Sequence, residues 1–314
     1  MVHRQSISVP SPAARPPAAR VGTFVLFAFC VSLCLSPFLP LLAQETPLPD
    51  FETFIAEVKK RLKTDEALQS GYAFSEREVE QKRDGDGRVR EEHVKVYEVY
   101  PPLPGEERYR RLIEEDGRPV PKEKLDKQDR ERQKKVEAYA RDLAERSPKD
   151  AERAQREYRK AMAEHSADIE DIFNVFDIRM IGREQVSGHG TIAFTLTPKP
   201  DTRARTDSGK MMQHFNARAW ISESEYELVR VEVEAIDNIS FGLGLLARLH
   251  RGATASFERR KINGEAWLPA KMSYAASGRL LLLRQLRLAG SSEFFNYRRF
   301  SVETTTTIEA PVTQ

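Results

Sequence analysis

Six histidines, two cysteines and two tryptophans are the residues from which this chain would build catalysis, metal binding or a stacking platform. The histidines are His3, His93, His165, His189, His214 and His250. No two of them stand as H-x-H or H-E-x-x-H, the spacings that bring two imidazoles to one metal. There is no G-x-S-x-G elbow, no P-loop and no G-x-G-x-x-G. Acids are plentiful, but they fall on helix and strand faces, and no pair stands out as a general acid and base. Asp84-Gly85-Asp86-Gly87 invites a calcium reading, but the further spaced oxygens and the distal Glu of an EF-hand are absent, so it reads as a solvated turn. Trp220 and Trp267 precede the breaks Ile221-Ser222 and Leu268-Pro269 and read as strand-end anchors rather than a carbohydrate platform. No catalytic residue, metal ligand or cofactor is predicted.

Both cysteines, Cys30 and Cys34, lie in an apolar run that follows Arg4, Arg15 and Arg20, with no acidic residue before Glu45. Residues 21–35 have the length of a signal-peptide h-region, and Leu41-Leu42-Ala43 offers a cut before Gln44. Residues 1–43 are therefore expected to be a cleaved signal peptide and the protein to be exported or periplasmic. The competing reading is an uncleaved N-terminal anchor, which Pro37 and Pro40 weaken. A lipoprotein signal does not fit, because Phe29 and Leu33 precede the cysteines where a small residue is needed. Cleavage leaves no thiol, so neither disulfides nor thiol chemistry remain. It also brings 50 basic residues down by three against 48 acidic ones, so no bulk field points to nucleic acid.

Residues 44–314 are expected to form a single domain. Residues 50–63 carry Phe51, Phe54, Ile55, Val58 and Leu62 at helical spacing. From Gly71 the period becomes two, with strands expected at 72–79, 89–100 and 108–115 and a turn at Asp116-Gly117. Residues 121–160 are different in kind: 24 of 40 are charged, 14 basic and 10 acidic. Mixed signs at i, i+4 predict an exposed helix, broken where Ser147 can cap and Pro148 can occupy the first helical position. The segment reads as a charged two-helix insert, 121–172, docking through its apolar end at Ile169, Ile172, Phe173, Val175 and Phe176. Hairpins follow, around residues 187–190, 222–225, Asn263-Gly264 and 289–292. The fold class is α+β, a curled antiparallel sheet or half-barrel of about ten or eleven strands with an N-terminal helix.

Alternation gives the sheet one wet and one apolar face. Val229, Val231 and Val233 share a side, as do Met272 and Tyr274, and Leu282 with its leucine neighbours. Residues 237–252, with Phe241, Leu243, Leu246 and two glycines between them, read as an apolar lid or as a plug of the core. An outer-membrane barrel fits poorly, since the chain closes on a threonine run instead of an aromatic strand.

This order of parts resembles the periplasmic outer-membrane lipoprotein carrier superfamily (LolA/LolB-like). The segments that carry the resemblance are Ala219-Trp220-Ile221-Ser222 running into Tyr226-Glu227-Leu228-Val229-Arg230-Val231-Glu232, and the stretch from Gly252 to Trp267-Leu268-Pro269. The resemblance implies a non-enzymatic carrier holding a lipid or lipidated protein in an apolar concave cavity under a helical lid. Carried onto this chain, the cavity falls on Val229, Val231, Val233, Met272, Tyr274 and Leu282, with Phe241, Leu243 and Leu246 from the loop. The expected partner is an acyl chain or lipidated protein. The alternative is a cell-envelope interaction protein whose binding surface is the charged insert at 121–172.

Overall fold

A computed structural model describes residues 47–103, 106–241, 247–280 and 284–299. The expected signal peptide lies outside the described residues. The chain opens on α1 (Phe51–Ser70), capped by Asp50, whose carboxylate accepts from the Thr53 amide at 3.0 Å and its hydroxyl at 2.6 Å. It runs past the expected residue 63 because nothing breaks it before Gly71. Phe54, Ile55 and Val58 are buried, and Phe51 and Leu62 pack beside them, as the helical spacing requires.

A meander follows: β1 (Tyr72–Arg83), β2 (Val89–Tyr100), β3 (Tyr109–Glu115) and the two-residue β4 (Arg118–Pro119). In the turn before β2, Asp84 Oδ1 accepts from the amides of Asp86 at 3.0 Å and Arg88 at 2.9 Å. That oxygen is engaged by the chain's own backbone, and Gly87 takes the positive φ. The insert forms α2 (Lys122–Glu145) and α3 (Pro148–Val175), with Ser147 Oγ accepting from the Asp150 amide at 3.2 Å. The expected break, cap and first-position proline are all in place.

The second half comprises β5 (Phe176–Val186), β6 (His189–Pro198), α4 (Asp207–Met212), β7 (Phe215–Ser222), β8 (Leu228–Ala235), β9 (Ile239–Phe241), β10 (Ala247–Leu249), β11 (Thr254–Ile262), β12 (Ala266–Leu280) and β13 (Arg284–Arg299). All pairings are antiparallel, in one open sheet of order β4-β3-β2-β1-β13-β12-β11-β8-β7-β6-β5. Short β9 and β10 pair with each other, and β10 with the end of β12. Beyond the expected count lie only short strands of two or three residues, β4, β9 and β10.

One hairpin was expected in the wrong place. Ala289-Gly290-Ser291-Ser292 is the interior of β13, paired to β12 on one side and β1 on the other. Gly290 is there for contact: a Cβ on it would meet the Tyr274 ring at 2.6–2.7 Å, so the ring lies on the bare strand.

The two edges of the sheet are finished differently. Helix α2 leaves from edge strand β4, and α3 delivers the chain to the other edge, β5. Along β3, Gln128 of α2 pairs with the open backbone, accepting from the Leu112 amide at 3.0 Å and donating to its carbonyl at 3.1 Å. Arg111 joins the same helix through Asp129 at 2.7 and 3.0 Å. A side-chain amide thus stands in for the strand that an exposed edge would otherwise recruit. Gln128→Ala is expected to cost about 1–2 kcal/mol in urea unfolding, since two partly buried backbone groups lose their partners, and to increase self-association by light scattering. Unchanged stability would mean water replaces the amide without loss.

Candidate functional site

Cross-strand register shows what the sheet offers a ligand. On the helix-covered face one row reads Met180, Phe194, Ala219, Val231, Phe257, Met272, Ser292, Glu78, Lys95. The adjacent row reads Ile178, Leu196, Ala217, Val233, Ala255, Tyr274, Gly290, Glu80, His93. Both are apolar across β5, β6, β7, β8, β11 and β12, and both turn polar from β13 to β1. Tyr274 stands at the boundary. Burial, then the carboxylates of Glu80 and Glu78, push its hydroxyl pKa above the ordinary tyrosine value, so it remains a donor. Beyond it, Arg110 reaches Glu76 at 3.0 Å and Glu78 at 2.9 Å while lying 3.9 Å from the Tyr97 ring centre.

The apolar end of these rows is roofed by helices. Ile55, Val58 and Leu62 of α1 and Ile172 and Phe173 of α3 close over Phe194, Ala219, Leu228 and Val231, leaving a wholly apolar space of about 130 Å³. Beside it, Met211 and Met212 of α4, with Phe176, Phe215, Ala217 and Val233, bound a second apolar space of about 280 Å³. Ile172, Leu196 and Val231 line both, so the two are one cleft. Lys59 and Lys63 of α1 tie the roof to Glu170 of α3 at 3.6 and 2.7 Å. Large apolar side chains remain exposed along this side: Met211 at 36%, Met272 at 39% and Leu288 at 37%. Water contact with them is unfavourable in a lone protein and is removed when an apolar ligand lies there.

The expected cavity residues divide. Val231 and Val233 line the cleft. Met272 and Tyr274 lie further along the same rows, outside its enclosed part. Val229 points the other way. Register shifts between Trp220–Arg230 and Ile221–Leu228, so Val229 is the extra residue of a bulge, and Leu228 and Val231 share a face although three residues apart. Strict alternation misassigned Val229 for that reason. Leu243, Leu246 and Leu282 lie outside the described residues, as does the side chain of Phe241. The expected lid at 237–252 is in its described part a short hairpin, β9 and β10, that lengthens the sheet beside β12. The backbone of Arg248 comes so close to Gly278 that a Cβ there would sit 2.4 Å from the Arg248 oxygen. What borders the cleft instead is α4, absent from the sequence reading. Its signal was Thr206 before Asp207, an N-cap followed by an acid, with Lys210 in the last turn.

The opposite face buries both tryptophans. Val229 is completely covered there by Val186, Ala193, Trp220 and Trp267. Trp220 Nε1 donates to Glu184 at 2.8 Å and Trp267 Nε1 to Glu225 at 3.0 Å, while Arg218 stacks 4.8 Å from the Trp220 ring centre. The carboxyl of Glu225, pushed up by burial but pulled down further by Lys261 and Trp267, lies below its ordinary range. Every polar atom of the two indoles is thus matched, as anchoring residues require.

Among the described residues no three His, Cys, Asp or Glu side chains group as a metal site. Among the described residues His93 contacts Asp116 at 3.3 Å and His214 contacts Asp237 at 2.8 Å, and neither histidine lines the cleft. No helix of the described residues is long and apolar enough to cross a membrane. What this arrangement can do chemically is withdraw apolar surface from water.

No known family model matches the chain, and no curated protein matches it. Solved structures similar to it include a LolA superfamily protein from Nitrosomonas europaea, at 9% identity and TM-score 0.31, covering 79% of this chain and 94% of that one. An outer membrane lipoprotein-sorting protein domain from Vibrio parahaemolyticus is similar at 11% identity and TM-score 0.30, over 82% and 93% of the two chains. The complex of MucA and MucB from Pseudomonas aeruginosa contains a third, at 11% identity and TM-score 0.23, over 78% and 99%.

Proposed function

We propose that this protein is an exported, non-enzymatic carrier that holds an acyl chain, free or on a lipidated protein, in the cleft between the apolar sheet rows and helices α1, α3 and α4. The observation that carries this reading is the extent of the apolar floor. Six adjacent strands at about 4.8 Å spacing give a floor of about 24 Å, longer than the roughly 15 Å that one leaflet contributes to a bilayer core. A chain lying across the strands would leave its tail under α4 and its polar head near Tyr274, where the rows change character. Burial contributes about 0.8 kcal/mol per methylene. Ten methylenes give about 8 kcal/mol gross, and association costs several kcal/mol of that, so useful affinity needs most of a long chain inside. Val231, Val233, Met272 and Tyr274 are the contact residues on the floor. Leu282 and the loop residues Phe241, Leu243 and Leu246 are proposed as further contacts. The carrier would work in the periplasm, with residues 1–43 removed as a signal peptide.

The test is native mass spectrometry of the full exported protein purified without detergent, followed by solvent extraction. An adduct of acyl mass that leaves on extraction supports the reading. A bare mass that takes up no palmitate on incubation rejects it.

A second reading has its own observation. Helix α2 has no buried residue, and Leu143, Tyr158 and Met162 stand exposed at 54%, 64% and 37% on otherwise charged helices. The charged insert would then be the contact surface for an envelope protein. Replacing Leu143, Tyr158 and Met162 together by serine separates the two: a carrier so changed still binds palmitate, whereas an adaptor loses its partner and never bound lipid.

A further inference from the structure

We infer that α4 is the gate of the apolar cleft and that Asp171 is the positioning residue that holds it closed; this rests on the cleft being the ligand site. Helix α4 has six residues, far too few to be stable alone. It must be fastened by its surroundings, and the fastening is concentrated on one group. Asp171 is fully buried on α3, one residue before the cleft-lining Ile172. Its Oδ2 accepts from the Arg205 amide at 2.8 Å, the Thr206 amide at 2.8 Å and the Thr206 hydroxyl at 3.0 Å. That hydroxyl accepts in turn from the Gly209 amide at 2.9 Å, which is the N-cap of α4. The carboxylate and the helix start are therefore linked by one continuous chain of hydrogen bonds.

Three features mark this as a latch and not simply as core. First, the Oδ2 contacts all reach the segment leading into α4, while α3 itself is held by its apolar residues Ile169, Ile172 and Val175. Second, the fit tolerates no side chain: a Cβ on Gly209 would lie 2.2 Å from Asp171 Oδ2. Third, what the latch positions is the cleft wall, since Met211 and Met212 line the 280 Å³ space and Met211 is 36% exposed. Methionine suits a wall that must fit apolar ligands of varied shape. Burial by itself would push the Asp171 carboxyl pKa up, but the bonds from Thr206 and Arg205 outweigh it and hold it below the ordinary range. The latch is thus a charge, and it can be removed without emptying the apolar core.

The experiment compares wild type, Asp171→Ala, Gly209→Ala, the double variant and the milder Thr206→Val in the full chain. It reads amide exchange at residues 205–213 and the exit rate of a pyrene-labelled C16 fatty acid. Each single variant should speed both by about tenfold or more, as loss of bonds to a buried charge implies, while exchange in β6, β7 and β8 stays as in wild type. Gly209→Ala should add little in the Asp171→Ala background, because the oxygen it strikes is gone. Faster exchange at 205–213 with unchanged probe exit overturns the gate. Unchanged exchange in the three single variants overturns the latch. Failure of wild type to bind the probe at all sinks the binding reading, and the gate with it, whereas the exchange data still decide the latch.

Discussion

Ala217→Phe is expected to abolish retention of a C16 fatty acid while leaving the thermal midpoint within about 4 °C of wild type, the shift that roughly 1 kcal/mol produces in a domain of this size. Ala217 lies on the floor of the 280 Å³ part of the cleft, between Leu196 on one side and Val233 on the other. A phenylalanine there enters the apolar space that the proposed carrier function gives to a ligand. Adding methylenes to a filled core forces strain of about 1–3 kcal/mol, but on the proposed function the ring takes the place of ligand carbons and displaces no neighbour. The control is Ala193→Phe, on the opposite face. Ala193 is fully buried among Val186, Trp220 and Val229, and a ring has nowhere to go. It should unfold or strongly destabilise the domain. Fluorescent fatty-acid titration with thermal unfolding of both variants decides the matter. If Ala217→Phe instead loses its fold, the space is tightly packed core and the carrier reading fails.

The second large effect belongs to the tryptophan face. Trp267→Ala should cost about 3–5 kcal/mol in equilibrium unfolding, the usual range for emptying a large aromatic site. The ring is 3% exposed and packs with Val229 and Trp220, and its removal also leaves the Glu225 carboxylate without the indole donor. Against a typical total of 5–15 kcal/mol this is a large fraction. Below its lowered midpoint the variant should still bind fatty acid with near wild-type affinity, because Trp267 is not among the residues lining the cleft. Loss of binding in a folded variant would mean that the two faces are coupled through the bulge at Val229.

Much of the architecture was legible because local chemistry speaks for it. The stripe from Phe51 to Leu62 became the buried side of α1. Ser147-Pro148 divided the insert where expected, and Asn263-Gly264 took the positive φ values of 52° and 73° that a tight hairpin demands. Val231 and Val233 were placed on the correct face by period alone. Other features were invisible for stated physical reasons. A bulge has no residue signature in β8, so nothing in Leu228-Val229-Arg230-Val231 announces that the phase slips by one. The small residues at 289–292 have the composition of a turn, yet they are small because Tyr274 lies on Gly290 from the neighbouring strand. The two strands of that contact meet only after folding.

The amino-acid sequence by itself determined the three long helices and most of the strands, because periodicity, caps and turn residues act within a few positions of one another. It also determined that an apolar sheet face would need cover. Only the tertiary structure decided what covers it. The identity of the roof depends on α1, α3 and α4 arriving from three separate parts of the chain, and α4 persists only because Asp171, 35 residues before its Thr206 partner, reaches its N-terminus. A six-residue helix has too few internal bonds to form on its capping signal alone. Its existence, and with it the shape of the cleft, is a property of contacts that the linear chain does not contain.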